Sequence, residues 1–401
     1  MSHLEQLAVN YDEAAVGSYV LPALSIDGNG APVSTLDEAR AAQARWRLTF
    51  ADGLFGELPP PPDRLDVTRL PLPEPRSERL ALNITVGDRE LAVDAALWLP
   101  ADTDDPVPLI VALDFTGPFG TLTSSAFPMD PKAIIARPGW LGGGQGPMSD
   151  VMRGTSPHRI PVDLLTWAGF AVITSCYGSW VPDEAAASRQ HGLWPLLDLD
   201  AHDAPPGVVC LWSWALGRLI DAAVTLSEID ASNISVAGHS RLGKAALWAA
   251  VNDPRIGALF LNESGCGGAA LSRRNFGESF AHNRAGFPHW LLSEERARAA
   301  GLDAVDQHQL LALMAPRKLY VASAAEDLWC DPRGEYLGLR GAAPLWGVFG
   351  HAVDLPSAEE VYAPGNRVKA GPLGWHLREG GHELTPYDWT RFLDFLKGEA
   401  S

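Results

Sequence analysis

One serine in this chain stands where a nucleophile would have to stand. Ser240 lies in NISVAGHSRLGKAALWAAV, between an apolar stretch from Asn233 to Ala237 and a run rich in Ala, Leu and Trp from Leu242 to Val251. The first reads as a short strand and the second as a helix. A serine at a sharp strand-to-helix turn, with glycines relieving the crowding, matches the G-x-S-x-G nucleophile elbow. Gly238-His239-Ser240-Arg241-Leu242-Gly243 departs from that pattern in one respect, because its second glycine comes one place late. The plain alternative is a helix N-cap, which also favours serine.

A serine hydroxyl is a weak nucleophile at neutral pH and needs an imidazole held by a carboxylate. In the strand–turn–helix hydrolase order the acid and then the histidine follow the serine, which puts the base near the C-terminus. There WHLREGGHE offers two histidines. His382 follows two glycines, in a turn suited to delivering an imidazole, whereas His376 falls within the expected last strand and reads as structural. Two carboxylates compete to orient the base. Asp327 follows the strand in LYVASAAED, and Glu263 leaves an apolar strand into Ser-Gly-Cys-Gly-Gly. A charge leaving such a strand needs a partner. An ordinary turn aspartate, and a glutamate that braces the glycine turn, are the competing readings.

Positioning these groups is the task of a regular pattern. The chain has 401 residues, 46% of them hydrophobic and 20% charged, which is enough for a large core. Leu80 to Val86 and Leu91 to Leu99 alternate as half-buried strands do, while Pro108 to Phe115 is continuously apolar, as in a strand covered on both faces. Helices are expected over Thr35 to Phe50, Val162 to Ala168, Val208 to Leu226 and Pro386 to Lys397, with further strands at Phe170 to Ser175, Ile256 to Leu261 and Lys318 to Ala324. Alternating buried strands and helices imply an α/β fold with a mainly parallel, doubly wound sheet and helices on both faces. Ligands bind such sheets at the carboxyl ends of the strands, where Ser240 falls. Long segments at Thr116 to Ser156, Trp180 to Pro206 and Leu271 to Val305 read as inserted loops that build or cover a site. Residues 1–75, including the proline run GELPPPPD, read as an extension packed on a catalytic domain that spans 76–401.

Charge and cysteines narrow the function. A formal net charge of −18 argues against nucleic acid and anionic membrane surfaces as partners. Cationic recognition must then be local, and Arg241 and Lys244 beside the serine are candidates. The four cysteines have no C-x-x-C spacing, so neither a zinc site nor a disulfide framework is expected. No apolar run reaches about 18 residues and no leader is visible, so a cytoplasmic protein without metal or cofactor is expected. GWLGGGQG (139–146) and the acidic loop LLDLDAHD (196–203) carry no assignment.

GHSRLGK, ESGCGGAALSRRNFGE, FPHW, VASAAEDLWCDP and GGHELTPYDW together resemble carbohydrate esterase family 15, the glucuronoyl esterases, and their bacterial branch in particular. The blocks run in order from about Pro108 to Leu396. The resemblance implies an α/β-hydrolase that cleaves esters of 4-O-methyl-glucuronate, borne on xylan, with alcohols of lignin. It implies Ser240 as nucleophile, His382 as base, and Glu263, Asp327 or both as the acid. It makes Arg241 an oxyanion donor through its side chain, beside its own backbone N–H, and a second backbone donor is expected near Thr116 and Gly117. Lys244, Glu278 and Trp329 match positions that hold the hydroxyls and ring of the uronate. Lys244, one helical turn past Ser240, is expected to reach the mouth of the site. His239 replaces a cysteine that forms a disulfide in fungal members. The partner is thus a small or oligosaccharide uronate ester. An acetyl-xylan or short-chain esterase on the same machinery is the competing enzyme reading, and a carbohydrate-binding protein with a decayed site is the non-enzymatic one.

Overall fold

The computed structural model describes residues 7–26, 30–101 and 105–398. Residues 1–6, on which the reading of a missing leader partly rests, lie outside that set. The strands in chain order are β1 (Arg64–Pro71), β2 (Ser77–Val86), β3 (Arg89–Trp98), β4 (Val107–Asp114), β5 (Ile134–Ala136), β6 (Gln145–Pro147), β7 (Ala171–Cys176), β8 (Ile229–His239), β9 (Ile256–Asn262), β10 (Lys318–Ala324), β11 (Arg367–Ala370) and β12 (Leu373–Arg378). Six helices matter for the argument: α1 (Leu36–Phe50), α2 (Val162–Trp167), α3 (Val208–Ala223), α4 (Arg241–Asn252), α5 (Pro332–Ala342) and α6 (Pro386–Lys397).

Ten strands form one sheet in the order β1-β2-β3-β7-β4-β8-β9-β10-β12-β11. From β7 to β12 the neighbours pair in parallel, and antiparallel strands close both ends. The chain leaves β4 for β7 on one side through α2, then returns through α3 to β8 on the other side. Right-handed crossovers in opposite directions put those helices on opposite faces, so the sheet is doubly wound as the sequence implied. The reversal also opens a crevice between the carboxyl ends of β4 and β8. β8 begins four residues before the apolar stretch that marked it, because half-buried Asp230 and exposed Ala231 and Ser232 break the apolar pattern.

The buried strands are apolar because both faces are covered. In β4 every residue but Pro108 is buried. Helix α3 is mostly apolar, and all its residues except Gly217 and Asp221 are buried. A helix of that kind needs a cover on its outer side as well as a sheet beneath it. The first 75 residues provide it. Trp214 Nε1 donates to Pro60 O at 3.0 Å, and Cys210 Sγ to Gly56 O at 3.4 Å. The same segment buries Ala39, Ala42, Trp46 and Phe50 of α1 and adds β1 to the sheet edge.

Candidate active site

β8 ends at His239 and α4 begins at Arg241, so Ser240 alone makes the turn, with φ 57° and ψ −129°. A non-glycine residue holds that conformation only where its surroundings fix it. Here the Ser240 N–H donates to Asn262 O at 2.9 Å, tying the turn to the end of β9. The flanking glycines are steric necessities. A Cβ on Gly238 would come within 2.2 Å of Leu242 O, and one on Gly243 within 2.8 Å of Ser264 Cβ. The late glycine is therefore the contact point between α4 and the loop after β9, while Leu242 is buried in the core.

The remaining groups arrive from three successive strands. Glu263 follows β9, Asp327 follows β10 and His382 follows β12, all at the carboxyl edge. His382 Nδ1 lies 2.6 Å from Asp327 Oδ2 and 3.1 Å from Glu263 Oε2. Both carboxylates named from the sequence thus meet one imidazole nitrogen, and Nε2 is left available to the cavity that His382 and Ser240 share. Burial opposes charge on the imidazole, yet the two carboxylates win and push His382 up to about 9. Asp327 is held below the ordinary carboxylate range, because its hydrogen bonds to His382 and Cys330 outweigh its burial. Glu263, fully buried, is pushed up to about 7 by desolvation, against the pull of His382 and Arg378. His376 is structural, with Nε2 2.8 Å from Asp388 Oδ1 and Nδ1 2.9 Å from Tyr320 Oη.

Several residues without a sequence signal hold this apparatus. Arg378, on β12, donates to Glu263 and Asp388, and the Glu383 N–H donates to Glu263 Oε2 at 2.9 Å. Glu335, on α5, accepts from the N–H groups of Ser264 and Gly265 at 2.7 and 3.1 Å. Arg159 donates to Asp114 Oδ1 at 2.8 Å and to Glu383 Oε1 at 2.6 Å, linking the His382 loop to the end of β4. Most of these pairs join distant parts of the chain, and nothing in local spacing announces them.

Arg241 is half-buried over the ring of Trp290, 4.4 Å from its centroid, and Nη1 donates to Asp183 Oδ2 at 2.6 Å. Its Nε is buried with no hydrogen-bond partner among the described residues. A guanidinium pinned by a buried aspartate with one N–H unspent suits an oxyanion. The second expected donor is corrected by the structure. The N–H groups of Thr116 and Gly117 both turn back to Asp114 Oδ2, at 3.2 and 3.3 Å, because that buried carboxylate has to be satisfied.

Lys244 lies deeper than its helical spacing implies. It does not line the cavity that Ser240 shares with His382, but is 2% exposed, with Nζ donating at 2.8 Å to both Ser264 O and Glu278 Oε2. In a dry site an ammonium must be paired, and Glu278 supplies the partner. Trp329 is half-buried beside His282, and its carbonyl accepts from the Glu278 N–H at 2.7 Å. These three residues form one connected group on the β9–β10 side of Ser240.

His239, Glu263 and His382, like Asp327, Cys330 and His382, bring atoms of metal-ligand type within 4.8 Å of one another. Several of these atoms already have partners within the protein. His239 Nδ1 faces Asn262 Oδ1, His382 Nδ1 faces two carboxylates, and burial pushes the Cys330 thiol well above its ordinary range. The arrangement is that of a serine hydrolase with a two-carboxylate base.

A family profile described as the glucuronyl esterase of fungi matches residues 141–350. A carbohydrate esterase, MZ0003, from an unknown prokaryotic organism is 31% identical over 96% of this chain and 91% of its own length. The solved glucuronoyl esterase of Solibacter usitatus superposes with a TM-score of 0.84 at 30% identity, covering 97% of this chain and all of that one. The 4-O-methyl-glucuronoyl methylesterase 1 of Sodiomyces alcalophilus is 30% identical over 42% of this chain and 36% of its own length. With this α/β-hydrolase fold, and on these matches, the chain is a carboxylic ester hydrolase and belongs to the glucuronoyl esterases, carbohydrate esterase family 15.

Proposed function

We propose that the chain hydrolyses esters of 4-O-methyl-glucuronic or glucuronic acid, with Ser240 as nucleophile and His382 as general base. The observation that carries this is the position of His382, pinned through Nδ1 by Asp327 and Glu263 on the cavity that Ser240 lines. Nε2 takes the hydroxyl proton as Ser240 Oγ attacks the ester carbonyl carbon. The oxyanion is met by the Arg241 N–H at the start of α4 and by its unspent Nε. The alcohol leaves with the proton from His382, and water then attacks the acyl-serine by the reverse route.

Lys244, Glu278 and Trp329 are assigned to the uronate ring and its hydroxyls. The reading is supported by their junction next to the elbow and by the names of the relatives. Xylan as the bearer of the uronate, and a cytoplasmic setting, belong to the same proposal. The four singly buried free cysteines favour the second. A panel of methyl glucuronate, benzyl glucuronate and p-nitrophenyl acetate tests the uronate assignment. Lys244→Met should raise KM for the glucuronate esters and leave the acetate nearly unaffected. Equal loss on all three, or acetate as the preferred substrate of the parent protein, would favour a short-chain esterase instead.

A further inference from the structure

The cavity in front of Ser240 has a volume of about 500 Å³ and lies away from the uronate group: none of Lys244, Glu278 and Trp329 lines it. Its walls come from the β4 side, with Phe115 and Arg159, and from the hairpin β5–β6, whose tip carries Arg137 and Trp140. That tip is the GWLGGGQG motif the sequence left unassigned. Gly142, Gly143 and Gly144 take φ of 87°, 63° and 67°, a run that favours glycine, and Arg137 N donates to Gly144 O at 2.8 Å to close the loop. Trp140 is 60% exposed at that tip, beside the cavity.

Two cations of this wall carry N–H groups that the hydrolysis described above does not use. Arg159 spends Nε on Asp114 and Nη1 on Glu383, but Nη2 is buried with no partner among the described residues. Arg137 has no carboxylate partner among the described residues, and its Nε is buried without an acceptor. It lies flat along Gly146, where a Cβ would come within 2.7 Å of that Nε. In a chain of net charge −18, an arginine without a carboxylate partner on the wall of the nucleophile's cavity suits recognition of an anion.

We propose that this cavity receives the alcohol half of the ester, and that Arg137, with the spare N–H of Arg159, selects an alcohol bearing a carboxylate. The inference rests on the uronate assignment above, since an ester straddling Ser240 with its acyl ring on the β9–β10 side places its alcohol here. The flat face of Trp140 offers a surface for the body of that alcohol, and the guanidinium groups take its acid.

Three esters of the same uronate test it: methyl, benzyl and 4-carboxybenzyl glucuronate. The parent protein should favour the carboxybenzyl over the benzyl ester in kcat/KM by about tenfold, the scale of one charge-assisted hydrogen bond. That ratio should shrink in high salt. Arg137→Gln should bring it close to one, and Arg137→Lys should restore part of it. A parent protein that treats the two alike or prefers the benzyl ester overturns the inference, as does a ratio unchanged by Arg137→Gln. Hydrolysis of none of the three would overturn the uronate assignment itself, and this inference with it.

Discussion

At the scale of the residue, the base is held by two acids that are not equivalent. Asp327 meets His382 at 2.6 Å and has the lower proton affinity, while Glu263 also balances Arg378. Asp327→Ala should lower kcat by on the order of 10²-fold or more, as loss of an orienting carboxylate does. Glu263→Ala should cost kcat and also stability, by about 3 kcal/mol, because it takes a partner from a nearly buried guanidinium. Steady-state kinetics beside thermal melts separate the two effects. The same carboxylates set the pH dependence. His382 must be neutral to act, and its proton is held up to about 9, so kcat/KM should rise with pH from 7 towards 9. Its contribution to stability has the opposite sign: it is complete below about 6.5 and fades as pH rises through about 9. Asp327→Asn should move the limb of the pH–rate profile downwards, towards the ordinary histidine range. Ser240, His382 and both acids were legible because each sits just past an apolar strand in a fixed chain order. Asp183, Arg378 and Glu335 were not, because each acts on a partner more than fifty residues away through packing alone.

At the scale of the element, the elbow depends on atoms that are missing. Gly238→Ala would drive a methyl to 2.2 Å from Leu242 O, and backbone cannot retreat there without unwinding the first turn of α4. A loss of several degrees in Tm together with most of the activity is expected, and a variant that melts and turns over like the parent would show that the turn is looser than described. The late glycine looked like a defect of the motif when judged by spacing. It is the packing point against Ser264, which only the tertiary arrangement reveals. The same limit applies to Lys244, whose helical spacing places it on the face of Ser240 but does not show that Glu278 draws it into the interior. Thr116 and Gly117 repeat the lesson, since their N–H groups had a nearer acceptor in Asp114.

At the scale of the whole molecule, the sheet was readable because its strands are buried on both faces and stay apolar throughout. The role of the first 75 residues was less so, since a proline run has no periodicity to interpret. In the structure that stretch covers the outer side of α3 and supplies the edge strand β1. Deleting 1–75 should therefore leave a chain that aggregates or melts far below the parent in size-exclusion and calorimetric measurements. A monomeric, active remainder would show that α3 needs no cover. All of this organisation serves one claim, that Ser240 attacks a uronate ester with His382 as its base. The most direct test is kcat/KM on methyl glucuronate for the parent and for Ser240→Ala. Clear turnover by the parent and a loss of at least about 10³-fold in the variant are expected. A Ser240→Ala protein that hydrolyses the ester at the parental rate would contradict that claim.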